Sequence, residues 1–121
     1  MPENDDAWID PLAEERLAAG VFGSAAIARR FLDDFASTWQ SRLDRLVRAL
    51  DAPDAEDVYV ALLSIRSTSE MAGAIPLAHL AKMLEADAQA GRLDECRAGL
   101  DELRRAGADT MRALSRGRGR G

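Results

Sequence analysis

Between Ser24 and Leu50, apolar residues recur as Ile27, Phe31, Phe35, Trp39, Leu43, Leu46 and Leu50. Steps of four and three put all of them on one side of a 3.6-residue helix, so the pattern predicts a long helix with one continuous buried stripe. Arg29, Arg30, Asp33, Asp34, Arg42 and Arg45 fall on its other faces. Ser24 is placed to cap its start. Asp51-Ala-Pro-Asp54 ends it, because proline disfavours helical backbone at the residue before it.

Three more helices follow. One starts near Asp54, with acidic Glu56 and Asp57 in its first turn, where the helix dipole favours them. Its inward positions are Val58, Leu62, Ile65, Ser69 and Ala72, and Gly73 and Pro76 mark the break after it. The next carries Leu77, Leu80, Ala81, Leu84 and Ala88 and ends at Gly91. The last runs from Leu93 through Cys96, Leu100, Leu103, Thr110 and Met111 to Leu114, near heptad spacing. Gly107 interrupts that stripe and is expected to loosen or bend it.

Ahead of these, a short helix is expected from Pro11 to Ala19, with Asp10 as N-cap, proline at the first helical position and Gly20 closing it. Trp8 and Ile9 stand where they can staple it to the rest. Residues 1–10 read as a disordered acidic lead and residues 115–121 as a flexible basic Arg/Gly tail. The whole is an all-α, antiparallel four-helix bundle over residues 11–114 with a short N-terminal helix.

Composition narrows the function. The 121 residues suffice for one domain with its own core. A formal charge of −5 argues against nucleic-acid binding by the chain as a whole. The Arg-Gly repeats of the tail are too few to change that reading. Cys96 is the single cysteine, which leaves no internal disulfide or zinc site and suits a reducing cytoplasm. The first twenty residues lack the apolar stretch of a signal peptide, and no window reaches the roughly 20 apolar residues of a membrane span. The serines and threonine at 64–69 have no evident base for nucleophilic chemistry, and the carboxylates read as solvated charges and pairs such as Asp101 with Arg105. No cofactor and no enzyme activity are expected.

The run Ala61-Leu62-Leu63-Ser64-Ile65-Arg66-Ser67-Thr68-Ser69-Glu70-Met71-Ala72-Gly73-Ala74 resembles the signature helix of histidine phosphotransfer (HPt) domains, A-H-x-L-K-G-S-S-x-x-x-G-A. Leu77, Ala81, Leu84 and Glu85 fall on the family's following positions without a gap, and the resemblance covers about residues 24–114. It implies a helical bundle that meets a response-regulator receiver domain or a histidine kinase. It also places Leu63 where the family carries its phospho-accepting histidine, Arg66 at the family's lysine and Ser67 at its glycine. Leucine has no nitrogen to phosphorylate. Arginine keeps the charge in a wider fork, and serine narrows the space left for a partner.

At 100° per residue Leu63 lies about 140° from Val58, off the inward stripe. It shares a ridge with Tyr59, Arg66, Ser67 and Glu70. Two readings stand: an ordinary surface leucine, or a docking patch of Tyr59, Leu63, Arg66, Ser67 and Glu70. His79, the only histidine, sits in Ala78-His79-Leu80-Ala81-Lys82, which matches A-H-x-x-K. That register puts Met83 where glycine belongs and leaves too little chain for the remaining helices. The expected function is therefore a pseudo-HPt module that binds a receiver without accepting phosphate. The alternatives are phosphotransfer through His79 and a helical adaptor or oligomerisation module that shares only the geometry.

Overall fold

The structure, a computed structural model, describes residues 5–20 and 23–119. Its elements are α1 (Asp5–Trp8), α2 (Ala13–Ala19), α3 (Ala25–Asp51), α4 (Ala55–Ala72), α5 (Ile75–Gln89) and α6 (Leu93–Gly119). The four long helices follow one another through short connections, and α6 returns to pack on α3 and α5, which closes the expected bundle.

Local chemistry sets the helix ends. The Ser24 hydroxyl accepts from the Ile27 amide at 3.4 Å, and the Asp54 carboxylate accepts from the Asp57 amide at 3.1 Å. Gly73 closes α4 with φ of 74°, a left-handed backbone in which a side chain would be strained. A Cβ there would also press on Asp10 and Ala13. The place is crowded because the Asp10 amide donates to the Gly73 carbonyl at 2.8 Å, tying the start of the chain to the α4–α5 turn.

The core holds Phe35, Trp39, Leu43, Leu46 and Leu50 of α3, Val58, Leu62 and Ile65 of α4, Leu77, Ala81 and Leu84 of α5, and Cys96, Leu103 and Leu114 of α6. Burial keeps the Cys96 thiol protonated to higher pH than usual.

Several expectations change. Ile27 is exposed and Phe31 half-buried, because α2 lies across the start of α3 and Ala28 takes the inward position there. The N-terminal helix starts at Ala13, not Pro11: the Asp10 carboxylate accepts from the Leu12 amide and its carbonyl from the Ala13 amide, which builds a turn before the helix. Of the lead expected to be disordered, residues 5–8 form α1, and Trp8 is buried in the core cluster; residues 1–4 lie outside the described residues. The basic tail expected from 115 continues α6 as far as Gly119, and residues 120–121 lie outside the described residues.

Gly107 does not loosen the last helix. It faces Trp39, and a Cβ on it would clash with the indole, so the missing side chain lets α6 close on α3. Asp101 pairs with Arg104, one turn away at 3.6 Å, instead of Arg105.

Candidate functional site

Helix α4 is flanked by α3 on one side and α5 on the other, so its surface divides into two flanks and an outward ridge. Val58, Ala61, Leu62, Ile65, Ser69 and Ala72 turn inward and are buried. Their spacing fixes the rotation of the helix, and that rotation leaves Leu63 half-buried, outside the core cluster.

On the α5 flank Arg66 is locked. Its Nε donates to Glu85 Oε2 at 2.5 Å and its Nη2 to Glu85 Oε1 at 3.3 Å, while Nη1 donates to Glu70 Oε1 at 2.9 Å. The Glu85 side chain is only 11 % exposed and that of Arg66 24 %. The fork–fork pairing with Glu85, aided by Glu70, raises the pKa of the guanidinium further above its ordinary value, so it stays charged under any working condition. The charge of Arg66 is thus already compensated by two carboxylates of the same chain.

The proposed patch is only partly assembled. Arg66 and Glu70 are joined directly, Leu63 and Ser67 stand half-buried between the flanks, and Tyr59 turns toward the core and packs against it. The apolar surface beside Leu63 comes instead from Val60 and Met71, 39 % and 41 % exposed. Val60, Leu63, Ser67 and Met71 follow at steps of three, four and four, a single ridge of α4. That spacing was available in the sequence; taking the i−4 neighbour Tyr59 instead of the i−3 neighbour Val60 missed it. Glu85 was also missed as a partner of Arg66. The pairing spans nineteen residues and two helices, so local spacing carries no sign of it.

His79 is exposed on α5, and no hydrogen bond or ion pair fixes its ring among the described residues. The same residues hold no group of three His, Cys, Asp or Glu side chains able to bind a metal, and no helix long and apolar enough to cross a membrane.

No curated protein and no solved structure matches this chain. A family model for the Hpt domain does match, over residues 30–114. That span takes in most of α3 and α6 and all of α4 and α5, with Leu63, Arg66 and Glu85 inside it. Bundle, signature helix and family model coincide, and the chain belongs to the Hpt domain family.

Proposed function

We infer from membership of the Hpt family that this chain takes part in phosphorelay signalling. We propose that this chain is a pseudo-HPt module that binds a receiver domain, or the kinase that feeds it, in the cytoplasm without itself accepting phosphate. One observation carries the reading: the charge of Arg66 is held by Glu85 and Glu70, in the register that the resemblance implies, with Leu63 at the acceptor position. A leucine at that point cannot form a phosphoramidate. A compensated guanidinium offers little to a phosphoryl group in transit. What remains is an apolar ridge, Val60, Leu63 and Met71, edged by Ser67 and charged groups, which is the composition of a docking surface.

The test is transfer from phosphorylated receiver domains of the same organism, with binding to those receivers measured in parallel. Binding without acid-labile labelling is the expected result. Labelling that disappears in His79→Ala would replace this reading with phosphotransfer through His79. Absence of both binding and labelling would leave a helical adaptor.

A further inference from the structure

The α3 flank of α4 differs in kind from the α5 flank. A cleft of about 210 Å³ opens there, lined by Thr38, Ser41, Arg42 and Arg45 of α3 and by Ala61 and Ser64 of α4. It is far larger than the ~10–15 Å³ that one water needs. Arg42 is half-buried beside it. Its Nη1 donates to Ser64 Oγ at 2.5 Å and its Nε to Thr38 Oγ1 at 3.3 Å. Among the described residues no carboxylate pairs with it. Arg16, Arg29, Arg45, Arg66, Arg92 and Arg97, by contrast, each have one.

A half-buried guanidinium held by neutral hydroxyls has its geometry fixed and its charge unanswered. Two of its five N–H groups are used, and the rest stay available. Thr38 spends its proton on the Asp34 carbonyl at 2.7 Å. Ser41 and Ser64 keep theirs, since neither donates to a described residue. Arg45 adds a second guanidinium at the rim, tied through Nη2 to Asp57 at 2.8 Å. The side-chain groups left unspent in the cleft are thus donors, supplied from two helices that face each other.

We infer that this cleft is an oxyanion site for a small phosphate monoester, held by Arg42 with the hydroxyls of Ser41 and Ser64 and with Arg45 at its rim. A planar carboxylate would use the fork of Arg42 alone, whereas a tetrahedral dianion also takes donors from the opposite wall. On α4 the cleft residue Ser64 lies about 160° from Arg66 and about 100° from Leu63, so the cleft sits on a different flank from Arg66 and does not depend on the reading of Leu63.

The test titrates the full chain with inorganic phosphate and with glycerol 3-phosphate at constant ionic strength, following backbone amide resonances. Saturable shifts confined to residues 38–45 and 61–64 are expected, with affinity reduced about tenfold or more in Arg42→Ala and nearly unchanged in Arg48→Ala. Ser41→Glu, an exposed position that places a carboxylate in the cleft, should abolish the shifts even if Arg42→Ala unfolds. Tighter binding of glycerol 3-phosphate than of phosphate would show that the ester's organic part is also held; equal binding would make free phosphate the ligand. Acetate giving the same saturable shifts, or shifts that survive both Arg42→Ala and Ser41→Glu, would overturn the assignment.

Discussion

The two flanks of α4 carry the same chemical group in opposite conditions. Toward α5, Arg66 is gripped by Glu85 and Glu70; toward α3, Arg42 is gripped by Thr38 and Ser64. Both guanidinia are half-buried and both are fixed in direction. Carboxylates answer the charge of the first and hydroxyls leave that of the second open. A charged residue's place in a motif therefore says little about its availability, because the partners across the helix pair decide it. In this chain the guanidinium on the α5 side is closed by ion pairing, while one with no carboxylate partner among the described residues lies on the other side of the same helix.

The contrast requires α4 to be rotated as described, and the neighbours Leu62 and Leu63 test that most sharply. Leu62 is fully buried, so Leu62→Ala should cost about 3 kcal/mol in urea unfolding. Leu63→Ala, from the half-buried ridge, should cost under about 1 kcal/mol. Equal losses would mean that the ridge is not a surface. Next in size, Leu63→Asp should weaken receiver binding about tenfold, ~1.4 kcal/mol, with helix content unchanged by circular dichroism. Unaltered binding would remove the ridge from the interface.

The α5 flank can be opened deliberately. Glu70→Gln with Glu85→Gln releases Arg66, and a weak, saturable response to inorganic phosphate should then emerge at residues 63–70, a few-fold above the parent's. If the parent already responds there, the two flanks do not differ as described. A last effect lies in the core beneath them. An unfolded thiol ionises near its ordinary pKa of ~8.5, whereas buried Cys96 holds its proton to higher pH. Its contribution is therefore constant below pH ~8.5, declines as pH rises past that value toward the folded pKa, and then levels off. Cys96→Ala should lack this decline, by at most ~1.4 kcal/mol per pH unit, in urea midpoints compared at pH 7 and pH 10.

Much of the bundle was legible because burial repeats with the helix. Phe35, Trp39, Leu43, Leu46 and Leu50 announced α3 by spacing alone, and Ser24 announced its cap. What escaped were relations between helices. Gly107 looked like a gap in a stripe until Trp39 was found opposite it, and Ile27 looked buried until Ala28 was found in the inward position. The candidate site divides the same way. Leu63 and Arg66 could be read from one helix, whereas Glu85 opposite Arg66, and Arg42 opposite Ser64, are separated by nineteen and twenty-two residues. Periodicity has no access to such pairs.

The bond from the Asp10 amide to the Gly73 carbonyl has a consequence for how the bundle breathes. A residue in a connection outside the long helices would normally exchange its amide proton by local opening, independently of the rest. This one closes onto the left-handed cap between α4 and α5, with Trp8 buried just before it. Its exchange is expected to follow the opening of the helix pair that carries Leu63, Arg66 and Glu85. The Asp10 amide would thus serve as a built-in reporter of motion at the signature helix, readable in deuterium uptake with no label at the site itself.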